Sequence, residues 1–336
     1  MVKTVIIGCG SITLWRHAPE CAQSKNIDLV GFYDRHEDRC KEFAEKYNAK
    51  AYKSYEEVLA DENVDAVIIC TANKYHCSMA VEAFKSGKHV LCEKPVAVNK
   101  KEAKKMIAAA KKYDKKFMVA HSQRFDAVNQ KLKQITETEN IGRIISFRTV
   151  FGHRGPETWS ATKGNSTWFM NKKEAGLGAL GDIGIHKADL IHWIINDNIK
   201  YVTATVKTLD KKLSDGSLIA MEDNAFCILE SEKGICGTME ASWTRYGKEE
   251  NLTELYCENA TVRADSTANP QITVSFNDGS VKEYKAESLN SMMAESFADC
   301  IINGKEPELS GEEALKALNI VLGCIESSEK GKKIKL

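Results

Sequence analysis

A chain of 336 residues exceeds the size at which a single hydrophobic core keeps growing, so two well-packed domains are expected. Its 47 Lys and Arg balance its 47 Asp and Glu, which argues against a general polyanion binder and so against nucleic acid as a partner. No stretch approaches the roughly 18 uninterrupted apolar residues of a membrane span, and the start MVKTVIIGCG lacks a basic region leading into a long apolar core, so a soluble cytoplasmic protein with no membrane partner is expected. Eleven cysteines, an odd number without CxxC spacing, several of them inside apolar runs, read as reduced core residues.

In chain order, Lys3 to Gly8 reads as an apolar strand, GCGSIT as a turn, Ser11 to Gln23 as a helix, and Ile27 to Tyr33 as a second strand ending at Asp34. This is a βαβ unit of dinucleotide-binding length. Gly8 permits the tight turn, Gly10 lets backbone approach a pyrophosphate, and the helix start at Ser11 and Ile12 offers free N–H groups to that anion. Asp34, 24 residues past Gly10, stands close to the roughly 20 expected of the acid that takes the ribose hydroxyls. Thr13 occupies the place of the third glycine and is expected to hold the helix slightly farther from the strand. Helices are then expected at 37–47, 55–60, 76–86 and 99–113, alternating with strands at 66–71, 90–93 and 117–120, the pattern of a parallel sheet wound in one hand.

Three of these strands end in polar groups on one predicted edge: Thr71-Ala72-Asn73 with His76 beyond, Glu93-Lys94, and His121-Ser122-Gln123-Arg124. Any one of them alone also fits an ordinary cap or loop. Pro95 fixes its own φ and pushes Lys94 out of the helical region, so the lysine is aimed by stiff backbone. The dinucleotide set read from this half is Gly8, Gly10, Ser11, Ile12, Asp34, Arg35, Thr71, Asn73, His76, Glu93 and Lys94.

After a helix from Asp126 the pattern changes to successive strand-like runs at 144–151, 202–206, 225–229, 235–242, 252–257 and 272–276, a mostly antiparallel sheet. The boundary is placed so that residues 1–123 form the dinucleotide domain and 124–336 a substrate-binding and oligomerisation domain. Between the strands, GLGALGDIGIHKADLIHWIIN feeds a helix with Asp182, His186 and Asp189 on one face. An Asp one turn before a His can orient the imidazole for acid–base work; an ion pair, a capped core histidine and a metal site on Asp182 and His186 are the alternatives, the metal lacking any firm third ligand. GHRGPETW and STWF combine cations with indoles suited to a sugar ring, so Arg124, His153, Arg154 and Trp168 join Lys94, Asp182 and His186 as the substrate set, with Trp15, Arg16 and His17 as groups that could close the pocket.

GCGSIT with Asp34, TANKYH, GKHVLCEKP, QRF and GLGALGDIGIH, in that order, resemble the Gfo/Idh/MocA oxidoreductases. The resemblance covers both predicted domains. It implies a Rossmann domain followed by an α/β domain with a large open sheet, often an oligomerisation surface, and hence a homodimer or homotetramer. It also implies a nicotinamide cofactor, a sugar, cyclitol or glycoside substrate, and a catalytic trio of Lys94, Asp182 and His186. Ala72 departs from the proline common before Asn73. Asp34 favours NAD over NADP, while Arg35 and Arg39 leave NADP possible. Hydride transfer at a hydroxyl-bearing carbon is the expected reaction; redox-assisted glycoside cleavage and a silent dinucleotide sensor are the alternatives.

Overall fold

The inner strands of the first half are short apolar runs buried on both sides, and helices alternate with the strands to cover the two faces. The computed structural model describes residues 1–286 and 293–336. The strands β1 (Val2–Ile7), β2 (Ile27–Tyr33), β3 (Lys50–Ala51), β4 (Ala66–Ile69), β5 (His89–Cys92) and β6 (Phe117–Val119) pair in parallel in the order β3-β2-β1-β4-β5-β6. This is the doubly wound dinucleotide-binding order, with β1 and β4 flanking the switch in direction. Its helices are α1 (Ala18–Gln23), α2 (Glu37–Tyr47), α3 (Tyr55–Ala60), α4 (His76–Lys85) and α5 (Lys100–Lys112). The sequence supplies their starts: Ser54 accepts the Glu57 N–H, and Asn99 accepts the Glu102 N–H.

A turn at Ser122–Phe125 and α6 (Ala127–Thr138) lead to the second sheet. There β7 (Ile144–Gly152) lies at the centre, and the one-turn α7 (Lys172–Ala175) and α8 (Ile185–Ile195) precede β8 (Ile199–Lys207). Then come β9 (Asn224–Ser231), β10 (Cys236–Ser242), β11 (Glu250–Cys257), β12 (Ala260–Asp265), β13 (Ile272–Phe276) and β14 (Val281–Tyr284). The chain ends in α9 (Met293–Ile302), α10 (Gly311–Lys330) and β15 (Ile334–Lys335). The nine strands run β14-β13-β12-β11-β7-β10-β9-β8-β15, antiparallel except for the parallel pair β7–β10.

The final helices tie the two halves together. Met293, Ala294, Phe297 and Ala298 of α9 join the core of Val2, Ile6, Cys21 and Phe32 beneath the first sheet. The Val119 N–H donates to Leu309 O at 2.8 Å, extending the free edge of β6. All eleven cysteines are free, nine of them buried. Among the described residues no helix is long and apolar enough to cross a membrane.

Candidate functional site

The carboxyl ends of the parallel strands face one end of the second sheet across a cavity of about 960 Å³. Its first wall is the turn after β1. Gly8 has φ +100°, and a Cβ there would strike Cys70 O at 2.6 Å, so glycine lets the turn press against the end of β4. Gly10 is different: nothing lies within 4 Å of the place a Cβ would take, and the residue opens onto the cavity with Ser11 and Ile12. Asp34 closes this end, each carboxylate oxygen accepting one backbone N–H, from Cys9 and from His36, both at 2.7 Å. A carboxylate held by one donor per oxygen keeps lone pairs for two ribose hydroxyls. Bare backbone at Gly10, first-turn N–H groups and an acid at the end of β2 fit a dinucleotide.

Thr13 does not simply hold the helix off. Its hydroxyl donates to Gly8 O at 2.6 Å, the side chain is fully buried, and Thr13–His17 is wound as a π-helical turn before α1 begins. Ala72 has φ −64° and ψ 147°, the backbone a proline would impose, so its departure from the family pattern leaves the strand end unchanged in shape.

Lys94 stands just past the end of β5. Its Nζ donates to Asp182 O at 2.7 Å and to Asp182 Oδ1 at 2.9 Å. An ammonium has three donors, so one remains. Asp182 belongs to a π-helical turn, Leu180–Gly184, that runs into α8; its Oδ2 accepts the indole N–H of the fully buried Trp243 at 3.0 Å. His186 lines the same cavity. Burial, reinforced by the Lys94 ammonium, holds its imidazole well below the ordinary range, so it is neutral at pH 7. His153 lies beside it, its Nε2 4.0 Å from Asp182 Oδ2. Its Nδ1 accepts the Gly155 N–H at 2.9 Å, which puts the neutral ring's hydrogen on Nε2.

The second domain contributes an aromatic wall. Trp159 meets Phe169 edge-on at 5.1 Å, Phe169 stacks on Trp168 at 3.8 Å, and Trp15 from the first domain approaches Trp159 at 6.0 Å. The same loop bridges the cavity's dinucleotide end, with Ser11 Oγ donating to Trp159 O at 3.3 Å and Arg39 Nη2 donating to Thr162 Oγ1 at 3.3 Å.

Of the residues expected from sequence, the cavity is lined by Gly8, Gly10, Ser11, Ile12, Asp34, Arg35, Thr71, Asn73, Glu93 and Lys94 on one side. His153, Arg154, Trp168, Asp182 and His186 line it on the other. Four expectations are corrected. Arg124 does not face substrate: it is 4% exposed and makes a two-point pair with Asp189 at 2.8 and 2.6 Å, because the turn after β6 abuts α8. His76 is fully buried and joins Thr71 O and Pro95 O at 3.1 and 2.9 Å, a stay between two strand ends. His17 does not close the pocket but sits buried with its Nε2 2.7 Å from Glu93 Oε1. Asp182 does not orient His186, since its carboxylate is held by Lys94 and Trp243. Trp243 itself carried no sequence signal, being one aromatic just past the end of a strand of alternating residues.

Residues 2–121 match the model of the oxidoreductase family, NAD-binding Rossmann fold, and residues 129–263 match that of the GFO/IDH/MocA C-terminal domain. The chain is 26% identical to the myo-inositol 2-dehydrogenase of Thermotoga maritima, over 98% of this chain and 97% of that protein. It is 24% identical to the D-glucoside 3-dehydrogenase of Escherichia coli, over 100% and 97%. The crystal structure of an aldose-aldose oxidoreductase from Caulobacter crescentus complexed with glycerol superimposes with a TM-score of 0.88 at 23% identity, covering 100% of this chain and 99% of that one.

Proposed function

The chain belongs to the Gfo/Idh/MocA family of NAD-dependent oxidoreductases, and from that premise we propose that it oxidises or reduces one ring carbon of a sugar, cyclitol or glycoside, with Lys94 and His186 handling the hydroxyl proton. The observation that carries this reading is that Lys94, from the first sheet, and His186, from the helix of the second domain, line one cavity with the bare backbone of Gly10. Bound NAD supplies the hydride acceptor.

In the oxidation direction the substrate hydroxyl must lose its proton. His186, kept neutral by burial, is the acceptor. The third N–H of Lys94 donates to the same oxygen and stabilises the negative charge growing on it, while Asp182 fixes the ammonium with the other two. The Nε2–H of His153 and the guanidinium of Arg154 are donors for neighbouring hydroxyls, and the Trp159, Trp168 and Phe169 wall suits the apolar face of the ring. Gly10, Ser11 and Ile12 would hold the cofactor's pyrophosphate and Asp34 its adenosine ribose, which would set NAD above NADP. Titration of both cofactors by fluorescence measures that preference.

We divide the chain between residues 123 and 124, between the last parallel strand and α6. We also propose that copies of the chain associate through the second sheet. Phe226 and Ile228 of β9 stand 44% and 51% exposed, flanked in register by Thr205 and Thr203 of β8 and by Glu240 and Thr238 of β10.

The test is a panel of sugars, cyclitols and glycosides monitored for both NADH and cleaved product. Net NADH from one member supports the redox reading. Cleavage without net NADH replaces it with redox-assisted glycoside cleavage. On the active substrate, Lys94→Ala and His186→Ala are expected to retain NAD binding and to lower kcat by roughly 10²-fold or more; unchanged turnover removes that residue from the mechanism.

A further inference from the structure

A histidine accepts a proton at Nε2 only when its own hydrogen sits on Nδ1, and a buried Nδ1–H needs an acceptor. His186 Nδ1 is buried with no partner among the described residues, and Asp182, one turn earlier, is engaged elsewhere. The neighbouring seam shows where an acceptor lies. Arg124, in the turn after β6, grips Asp189 of α8 through two hydrogen bonds. His121 stands three residues before Arg124, as His186 stands three before Asp189; the turn after β6 packs on α8, and the His121 ring is near enough to act electrostatically on the His186 imidazole.

His121 is 1% exposed, and neither of its ring nitrogens has a partner among the described residues. Gln123 Oε1, in the same turn, is a third buried atom left without one. Buried polar atoms in folded proteins are nearly always satisfied, by protein or by ordered water, and a buried water makes about three hydrogen bonds. The groups whose charge reaches His121 include Glu93 and Lys94 from the end of β5, Arg124 from its own turn, and Asp189 and His186 from α8. Burial dominates them and keeps the ring neutral, with one donor and one acceptor to offer.

We propose that one ordered water molecule bridges His186 Nδ1 to the ring of His121, accepting the Nδ1–H and leaving Nε2 bare toward the cavity. The inference rests on the reading of His186 as proton acceptor and adds the group that makes it one. His121 is thus a positioning residue: it touches no reacting atom and acts by selecting the tautomer of its neighbour.

The experiment records the imidazole nitrogen resonances of ¹⁵N-histidine-labelled, NAD-saturated full-length protein. Wild type is expected to show His186 as the Nδ1–H tautomer. His121→Phe, which fills the site but accepts nothing, is expected to shift it to Nε2–H and to lower kcat by on the order of 10²-fold with KM little changed. His121→Gln, still polar, is expected to recover most of that loss. An Nε2–H tautomer in wild type overturns the proposal, whether or not any variant folds; so does a His121→Phe protein with unchanged tautomer and kcat. The tautomer is read without turnover, so a His186→Ala enzyme that still turned over would end the proton-acceptor reading separately.

Discussion

Trp243 donates to Asp182 from a fully buried position, and through Asp182 it sets where the Lys94 ammonium sits. Trp243→Phe keeps most of the ring's volume and removes the donor, leaving one buried carboxylate oxygen without its partner. The expected cost is about 1–3 kcal/mol of stability in urea denaturation and a kcat lowered roughly tenfold, with NAD affinity unchanged; full retention of both would show that the indole N–H positions nothing. A second buried pair predicts a pH dependence. Burial alone would lower the His17 imidazole, but Cys70 and the Glu93 carboxylate beside it overrule burial and raise it to about 10. A raised folded-state value means stability fully present below the unfolded histidine range, near 6.5, and lost as pH climbs from there to about 10. Glu93 is lowered despite burial, which opposes it, chiefly by the His17 hydrogen bond, so its share is present above the unfolded glutamate range and lost toward acid. Glu93→Gln should therefore flatten the alkaline slope in urea midpoints measured from pH 6 to 10, the remainder belonging to Cys70; an unchanged slope would assign it to other groups. The chemistry-bearing residues were legible from sequence because strand ends and a glycine-rich helix start announce themselves. Their partners were not: Glu93 with His17, Arg124 with Asp189 and Asp182 with Trp243 are long-range pairs whose members carry no mark of each other.

The elements that hold these residues were legible where periodicity and caps agree. The helices 37–47 and 55–60 match their expected ends, and β1, β2, β4, β5 and β6 fall within two residues of the expected runs, whereas the two-residue β3 had no expected counterpart. What the sequence hid were irregularities of winding and the terminal elements. The π-helical turns at Thr13–His17 and Leu180–Gly184 leave the hydrophobic pattern almost intact, and Asp182 and His186 still line one cavity; what separates their roles is that Lys94 and Trp243 take the Asp182 carboxylate. β12, β14, α9 and α10 were not read out, since α9 buries its apolar face on the far domain and its role appears only in three dimensions. The turn before α8 is pinned by backbone. Glu222 O accepts the Ala179 N–H at 2.9 Å, and Glu222 Oε1 accepts the N–H groups of Gly178 and Leu180 at 2.8 and 3.2 Å. A Cβ on Gly178 would lie 1.9 Å from Glu222 O, a collision with backbone that no rotamer relieves. Gly178→Ala is expected to cost roughly 3 kcal/mol and to lower kcat by displacing Asp182, whereas Gly247→Ala, with open space at the Cβ position, should fall within about 0.5 kcal/mol of wild type. Equal denaturation midpoints for the two variants would show that the turn yields.

At the scale of the whole molecule, the cavity exists because the second domain is docked with Asp182 on Lys94 and with the Trp159 loop on Ser11. The two-part architecture was legible in the change from alternating to successive strands. The docking was not, because it depends on side chains more than eighty residues apart. The second sheet carries its helices on one face, and the other presents alternating residues of β8, β9 and β10. Phe226 and Ile228, two residues apart on one strand and edged by three threonines and Glu240, are the apolar part of the proposed association face. A sheet face meeting its own copy about a twofold axis makes the contact self-complementary, so a single strand alteration enters the interface twice. Phe226→Asp with Ile228→Asp places two carboxylates per copy in that contact, four in all, where burial without partners is strongly unfavourable. Neither side chain lines the cavity, so NAD binding should survive. Light scattering at micromolar concentration is expected to give wild type a mass that is a multiple of 37.4 kDa and the double variant the mass of one chain. A wild-type protein that already weighs one chain, or a double variant that stays associated, would place any interface elsewhere.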